Sequence, residues 1–443
     1  MLVEIVTGNG HQSRSEVRCR RLWAAAVGMG NVNRHRTMVF AARFWNSWAA
    51  ARNPPAPADR PQGLPGSRDT CRVPLACRPG APGEPTARRW IRTALRCHND
   101  NDQDPYKDAP MKLKRLFSAL AVGAALTALC ATAQAREYSV STVLSDAFPW
   151  GQAAQKWADL VNERSAGRIT LRVYPNAQLV AGDQTKEFSA MRSGLIDMAV
   201  GSTINWSPQV PELNLFSLPF LMKSDADLDA ITQGEAGKLA FAAIEQRGIV
   251  PLAWGENGFR QLSNSARPVR SPADMAGLKI RVVGSPLFQD TFTALGANPT
   301  QMSWADAKPA LTTGAVDGQE NPLSVFDVAR VDQVGQKYLT LWDYMADPLV
   351  FAVNQRVWKG LPEEDRELLR QAAIDAGKWE IELSRGAQAQ RLADVRERGV
   401  DVIELSDAER AAFVEATASV QEKWAPRIGD ALMDAARKAV AQP

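Results

Sequence analysis

An internal export signal restricts the folded protein to the last 308 residues of this 443-residue chain. The short basic stretch Met111–Arg115 precedes the apolar run Leu116–Ala131, and an Ala-x-Ala cleavage sequence ends at Ala135. These are the three parts of a secretory signal, and the apolar run is too short to span a membrane as a helix. The pattern predicts cleavage before Arg136 and a mature protein located in the periplasm.

The segment before this signal, residues 1–110, lacks the features of a folded domain. Residues 50–90 are rich in Arg, Pro and Gly and show little apolar periodicity, so they bury too little apolar surface to offset the entropy of ordering. We interpret residues 1–110 as an upstream extension of the gene start that is absent from the mature protein. The alternative is a disordered basic arm that binds nucleic acid. A lipoprotein signal at Cys130 is a further alternative, but the bulky Leu129 lies where such signals need a small residue.

The composition of residues 136–443 excludes several classes of function. All five cysteines and all three histidines precede Arg136, which removes disulfides, Ser-His-Asp and Cys-His nucleophile systems and the usual zinc sites. The 40 acidic and 32 basic side chains that remain argue against binding nucleic acid or an anionic membrane. One enzyme class stays open, a carboxylate-dependent hydrolase that uses a pair such as Asp317 and Glu320. Because nearby carboxylates are common on solvated loops, we predict a protein that is not an enzyme and needs neither metal nor cofactor.

Helical and strand patterns alternate through much of the remaining sequence. Trp150–Asn162 has apolar residues at helical spacing, and Ile169–Val173 alternates apolar and polar residues as a half-buried strand does. This alternation predicts α/β layers. From Pro362 to about Arg398 a helical pattern runs with little interruption, which is long for a globular helix. It predicts either a connector that crosses between two lobes or two helices broken near Gly386.

Further elements follow from the same patterns. Helices are predicted around Phe188 and Met191 and over Ala226–Gln246, and strands at Ile249–Trp254 and Lys279–Val283. Ser-Pro pairs open several of the helices and glycines end them, as expected for capping residues.

One segment resembles a known family. It spans Gly277–Pro322 and reads GLKIRVVGSPLFQDTFTALGANPTQMSWADAKPALTTGAVDGQENP. Together with P-W-G at 149–151 and L-P-F at 218–220, this segment resembles the substrate-binding proteins of TRAP transporters, the DctP family. The resemblance covers nearly all of residues 136–443. It implies a two-lobed, periplasmic-binding-protein-like α/β fold with a ligand cleft and a long helix shared between the lobes.

The resemblance also implies a mode of action. The protein would close around a small organic acid and deliver it to a membrane permease of two components that is driven by an ion gradient. Lobe I is expected to comprise 136–258 and 347–385, and lobe II 259–346 and 386–443. C4-dicarboxylates are the first expected ligands, sugar acids such as hexuronates the second, and aromatic or keto acids the third. The mature protein is expected to be a monomer that does not itself span the membrane.

Arg281 is the leading candidate for ligand binding. It lies in a predicted strand between Ile280 and Val282, where an unpaired guanidinium is costly to bury. It is near the C-terminal end of that strand, where open α/β sheets place ligands, and its planar fork can bind a carboxylate through two parallel hydrogen bonds. The residues alone leave open a structural pairing with a neighbouring acid. The resemblance implies a carboxylate clamp.

The resemblance implies several further site residues. Arg260 matches a second family arginine that reaches the ligand, and Asn321 matches the family's ligand-binding amide. Trp304 falls where the family places an aromatic residue against the ligand, with an ordinary core position as its alternative. The candidates for the wall of the other lobe lie on loops and are Gln184, Trp206 and Phe148.

Overall fold

The structure is a computed structural model that describes residues 136–441. The predictions of an export signal and of an upstream extension concern residues 1–135 and lie outside the described residues. Within the described range the strands are β1 (Arg136–Ser141), β2 (Ile169–Tyr174), β3 (Met198–Ser202), β4 (Ile249–Asn264), β5 (Lys279–Val282), β6 (Asn298–Gln301), β7 (Gly318–Pro322), β8 (Tyr338–Leu341), β9 (Ala346–Asn354) and β10 (Asp401–Glu404).

Helices connect these strands and cover the faces of the sheets. They are α1 (Pro149–Arg164), α2 (Glu187–Ser193), α3 (Thr203–Trp206), α4 (Asp225–Gln233), α5 (Glu235–Glu245), α6 (Pro286–Ala294), α7 (Trp304–Thr313), α8 (Leu323–Val328), α9 (Gln355–Gly360), α10 (Glu363–Gly386), α11 (Gln388–Glu397), α12 (Asp407–Ile428) and α13 (Asp430–Val440). Short 3-10 turns occur as well, including Gln184–Lys186.

The long strand β4 joins two sheets. Its first part pairs antiparallel with β9 in a sheet of order β2-β1-β3-β9-β4, and we call the part of the molecule built on this sheet lobe I. From Arg260 onward β4 pairs with β7 in a second sheet that also contains β5, β6, β8 and β10, and we call that part lobe II. Between the two parts the strand has an irregularity at Glu256–Gly258, where Gly258 has a φ of 110°. Glycine adopts this positive φ without steric penalty, so the strand can bend there.

The helical segment after Pro362 combines the two alternatives that the sequence left open, which are a break near Gly386 and a connection between the lobes. The helix α10 ends at Gly386 and α11 begins at Gln388, so the segment is broken where expected. At the same time, α10 packs against α1 and β4, whereas α11 packs against α8. The pair therefore crosses from lobe I to lobe II.

Most predicted elements are present, with two clear differences. The predicted helix at Ala226–Gln246 is two helices, because Gly234 interrupts it between α4 and α5. The predicted strand at Ile249–Trp254 continues to Asn264, since the G-E-N-G run that resembles a turn lies within the strand. The capping box of Ser406 and Glu409 begins α12, whereas that of Ser271 and Asp274 begins only a 3-10 turn.

The C-terminal helix α13 packs against α4 and α5. Its buried face consists of Leu432, Met433 and Ala436. This contact ties residues 430–440 to a segment that the sequence analysis assigned to the other lobe. Within residues 136–441, no helix has both the length and the apolar character needed to cross a membrane.

Candidate functional site

A small cavity of about 20 Å³ lies where the C-terminal ends of strands from both lobes meet. Its apolar wall consists of Val143, Leu144, Trp150, Ile204, Val283, Trp304 and Val325. Its uncharged polar lining consists of Gln184, Ser202, Asn205, Asn257 and Asn321, and its charged lining of Arg260, Arg281 and Asp347. A wider opening of about 330 Å³, lined by residues 181–185 and by Met302, Ser303 and Asp306 among others, adjoins the cavity at Gln184.

Arg281 brings an uncompensated cation to this cavity. Its side chain is 1% exposed, and its Nε and Nη2 both donate to the carbonyl oxygen of Met302, at 3.2 and 2.9 Å. Among the described residues, no carboxylate lies within 4.0 Å of its guanidinium nitrogens. Burial lowers the pKa of Arg281 to about 10, and the charge of Glu320 opposes that shift. The guanidinium thus stays charged at neutral pH without an ion-pair partner.

Arg260 lines the same cavity in a different electrostatic setting. Its Nη2 donates to Glu320 Oε1 at 2.9 Å, its Nε donates to Glu320 Oε2, and its Nη1 donates to Asp347 Oδ2 at 3.2 Å. The hydroxyl of Tyr344 donates to Glu320 Oε2 at 2.8 Å. Burial alone would lower the pKa of Arg260, but Glu320 and Asp347 raise it above its usual value. Two carboxylates therefore neutralise this arginine before any ligand does.

Asn321 is held in place by the same network. It lies at the end of β7, which runs parallel to β5, so that its side chain and that of Arg281 line the same cavity. Its Oδ1 accepts from Arg260 Nη2 at 3.0 Å, and its Nδ2 donates to Gln319 Oε1. Arg260 thereby fixes the orientation of the amide.

Asp347 is a charged lining residue that the sequence analysis missed. It lies in β9 and is 2% exposed. Its Oδ2 accepts from Asn257 Nδ2 at 2.8 Å as well as from Arg260, and its Oδ1 accepts from the hydroxyl of Ser202. Burial raises the pKa of Asp347, although the charge of Arg260 opposes this. A sequence signal was present, because Asp347 is the one charged residue in the otherwise uncharged strand ADPLVFAVN.

Gln184 connects the two lobes across the cavity. Its Oε1 accepts the backbone N–H of Trp304 at 2.7 Å, and its Nε2 donates to Asn205 Oδ1 at 3.4 Å. Trp304 is the first residue of α7, where backbone N–H groups have no partner within the helix. The indole ring of Trp304 lies 5.7 Å from the guanidinium carbon of Arg281. This bond therefore links lobe I to the segment that packs on Arg281.

The structure places two of the predicted site residues away from the cavity lining. Trp206 is fully buried, donates from its Nε1 to Glu187 Oε2 at 3.1 Å and makes an edge contact with Phe188. Phe148 is half-buried and packs against the core of lobe I. The lining residues of these segments are their near neighbours Asn205 and Trp150. In these two segments the cavity is therefore lined by neighbours of the predicted residues.

The carboxylate pair considered for a hydrolase is not assembled. Glu320 is bound to Arg260 and Tyr344 inside the protein. Asp317 precedes β7, accepts the backbone N–H of Lys279 at 2.9 Å and does not line the cavity. Among residues 136–441, no group of three or more His, Cys, Asp or Glu side chains could hold a metal ion. Two α/β lobes around a cavity with an unpaired guanidinium define a solute-binding protein for anions.

The chain belongs to the DctP family, bacterial extracellular solute-binding protein family 7, whose sequence pattern matches residues 140–427. It is 34% identical over 308 residues to the 2,3-diketo-L-gulonate-binding periplasmic protein YiaO of Escherichia coli, covering 69% of this chain and 92% of the relative. It is 32% identical over 337 residues to the C4-dicarboxylate-binding periplasmic protein DctP of Rhodobacter capsulatus, covering 75% of this chain and all of the relative.

Solved structures of the family share the fold. A TRAP periplasmic solute-binding protein from Ralstonia eutropha, with bound (S)-2-acetolactate, is 58% identical with a TM-score of 0.68, covering 69% of this chain and 99% of that one. A sugar-acid-binding protein from Advenella mimigardefordensis, in complex with galactonate, is 29% identical with a TM-score of 0.67, covering 70% and 98%. The two-lobed α/β fold and the family predicted from the sequence are thus confirmed.

Proposed function

We propose that this protein is the extracytoplasmic solute-binding subunit of a TRAP transporter and that it captures a small carboxylate for delivery to a membrane permease. The observation that carries the proposal is the buried guanidinium of Arg281, which lines the cavity between the lobes and has no carboxylate partner. A charge left unpaired in the interior is destabilising, so its natural complement is an anion that enters the cavity. The permease, the ion gradient and the periplasmic location follow from the family.

The proposed roles of the lining residues follow from their contacts. Arg281 binds the ligand carboxylate through its planar fork, with Trp304 packed beside it. Asn321, oriented by Arg260, presents an amide that can accept from a ligand hydroxyl or donate to a carboxylate. The main role of Arg260 is to position Asn321 and Asp347 rather than to bind the ligand, because two carboxylates already balance its charge.

Binding without chemistry is the expected outcome of this arrangement. The cavity holds an anion-binding group, amides and an apolar wall, and these features favour capture and release. We further propose that the lobes are separated close to the boundaries predicted from the sequence, since β4 changes partner strand at residues 259–260 and α10 ends at Gly386.

The relatives support a carboxylate ligand. The proteins compared above are named for, or hold, 2,3-diketo-L-gulonate, C4-dicarboxylates, (S)-2-acetolactate and galactonate. These ligands differ in length, branching and hydroxylation but all carry a carboxylate. A carboxylate is therefore the shared requirement, and the rest of the ligand is set by the other walls of the cavity.

A thermal-shift screen of the protein purified from the periplasm tests this proposal. The panel contains mono- and dicarboxylates, sugar acids, aromatic acids and, as controls, the neutral sugars that correspond to the sugar acids. At a hundredfold excess over Kd, a ligand stabilises the folded state by about 2.7 kcal/mol, which raises the melting temperature by roughly 4 °C. Stabilisation by acids but not by neutral sugars is expected. Stabilisation by neutral solutes alone, or turnover of a bound acid, contradicts the proposal.

A further inference from the structure

The two arginines of the cavity differ in whether their charge is free to bind a ligand. Arg260 is bound by two carboxylates, Glu320 and Asp347, so that this group of three carries one net negative charge when both acids are ionised. Arg281 is the remaining cation, and it has no acidic partner among the described residues. The cavity thus offers one available positive charge at Arg281 and one carboxylate at Asp347.

This distribution suits a ligand with a single carboxylate. A first carboxylate can bind to Arg281, but a second finds no further lysine or arginine in the cavity lining besides the neutralised Arg260. It would instead approach Asp347, which is 2% exposed and already accepts hydrogen bonds from Ser202, Asn257 and Arg260. Like charges brought together in a buried site repel each other strongly, so a dianion is disfavoured.

Part of the hydrogen-bonding capacity of the uncharged polar groups is already used within the protein. Asn321 uses both ends of its amide on Arg260 and Gln319, and Asn257 donates to Asp347. Asn205 accepts from Gln184, whose Oε1 is bound to Trp304. Each ligand hydroxyl buried here without a partner is destabilising. The acceptor oxygens of Asp347 and Asn321 can still receive one hydroxyl.

The rest of the wall is apolar. Val143, Leu144 and Ile204 face the cavity from lobe I, and Val283 and Val325 face it from lobe II. Branched side chains on both sides form a surface that a short branched alkyl group fills well, since buried apolar area is favourable in proportion to its size. Contact with this apolar wall does not stabilise a second carboxylate or a chain of hydroxyl groups.

We infer that the ligand is a short, branched monocarboxylate with one hydroxyl group next to the carboxylate. This inference rests on the proposed function and narrows it: the carboxylate binds Arg281, the neighbouring oxygen meets Asn321 or Asp347, and the alkyl branch packs on the valine and leucine wall. It reverses the order of ligands drawn from the sequence, in which C4-dicarboxylates came first and sugar acids second.

Titration calorimetry of the protein purified from the periplasm tests the inference with three probes. 2-Hydroxyisovalerate has the inferred features, malate replaces the alkyl branch with a second carboxylate, and galacturonate carries many hydroxyls. We expect 2-hydroxyisovalerate to bind at least about tenfold more tightly than either of the other two. Equal or tighter binding of malate or galacturonate overturns the inference and leaves the proposed function standing. Binding of no acid at all overturns both.

Two variants with a matched control identify the groups responsible. Asp347→Asn removes the negative charge with little change of shape, so malate should gain at least about fivefold relative to 2-hydroxyisovalerate. Asp317→Asn, which alters a carboxylate outside the cavity, should leave this ratio unchanged. Val325→Thr keeps the shape of the wall but makes it polar, and should weaken 2-hydroxyisovalerate selectively. If Asp347→Asn and Val325→Thr both leave the ratio unchanged, the cavity lining does not select the ligand as inferred.

Discussion

The two arginines of the cavity show how the surroundings of a residue decide its role. Both are almost completely buried, yet Arg260 has two carboxylate partners while Arg281 donates to a single carbonyl oxygen. Burial lowers the pKa of Arg281, whereas for Arg260 the effect of Glu320 and Asp347 exceeds that of burial. Arg260 stabilises the apo protein, and Arg281 becomes fully compensated only when an anion binds.

Removal of the Arg281 guanidinium should abolish most of the affinity for the ligand. Two charge-assisted hydrogen bonds contribute roughly 1.5–3 kcal/mol each, so Arg281→Ala should weaken binding by more than about a hundredfold. Arg281→Lys should restore only part of this, because an ammonium keeps the charge but loses the planar fork. Titration calorimetry measures both variants, and the melting temperatures of their apo forms report on the fold. Affinity of Arg281→Ala within threefold of the original would show that Arg281 is structural.

A buried carboxyl near the site makes stability depend on pH. Glu187 accepts hydrogen bonds from Ser141 and from Trp206, and burial raises its pKa from 4.5 to about 7. Between these values the folded protein retains a proton that the unfolded chain releases, so this contribution to stability falls as pH rises from about 4.5 to 7.

Glu187→Gln should remove that dependence, since an amide imitates the neutral acid and can both donate to Ser141 and accept from Trp206. The expected effect is a change in slope of up to about 1.4 kcal/mol per pH unit in urea unfolding between pH 5 and 7. Identical slopes for the variant and the original protein would mean that Glu187 is ionised in the folded state. Glu245→Gln, an exchange at the end of α5, serves as the control.

At the scale of single residues, the sequence indicates candidates for the site where the site needs one particular chemical group. Arg281 and Asn321 lie in the segment that carries the family pattern, Gln184 lies on a loop of the other lobe, and all three line the cavity. The roles of Arg260 and Asp347 depend on partners 60 and 87 positions away along the chain, which a single sequence does not reveal. The side chains of Trp206, at the end of α3, and of Phe148, just before α1, are oriented by packing rather than by local sequence pattern.

The residues that line the site come largely from the ends of secondary-structure elements. The loop after β1, the end of β3 and the end of β5 all supply lining residues, as expected for an open sheet with ligands at the carboxyl ends of its strands. The helix α7 also begins at the cavity, and Gln184 of the other lobe satisfies its first backbone N–H. The first residue of α7 thus forms a contact between the lobes.

The bond from Gln184 to Trp304 should hold the cavity closed on its ligand. Gln184→Ala removes the hydrogen bond that joins Gln184 to the other lobe, which contributes about 0.5–1.5 kcal/mol, so dissociation should become roughly twofold to twelvefold faster. Stopped-flow measurement of the change in tryptophan fluorescence on ligand release gives this rate. The control is Gln209→Ala, whose amide contacts Thr185 within lobe I. An unchanged dissociation rate in Gln184→Ala would exclude a closing role.

Element boundaries were predicted well where capping chemistry is local. Ser303 accepts the N–H of Asp306 at the start of α7, and Gly314 follows its end, and both residue types are typical of these cap positions. The extent of β4 was not predicted, because Gly255–Gly258 resembles a turn and becomes strand only through pairing with β9 about 90 residues later. Such pairing is a property of the whole fold.

For the whole molecule, the arrangement couples binding to shape. The lobes are joined by β4 and by the passage from α10 to α11, while the cavity between them is lined by both. A ligand that contacts both lobes favours the closed arrangement by its difference in affinity between closed and open states. In the proposed function, closure is what lets a permease distinguish loaded from empty protein.

Small-angle X-ray scattering of the protein purified from the periplasm, with and without the carboxylate that stabilises it most, tests this central claim. We predict a smaller radius of gyration at saturating ligand, and no such change in Arg281→Ala at the same ligand concentration. The neutral sugars of the screen should leave the radius as it is in buffer. A radius that stays the same when the cavity is saturated with a tightly bound carboxylate would contradict capture by closure of the two lobes.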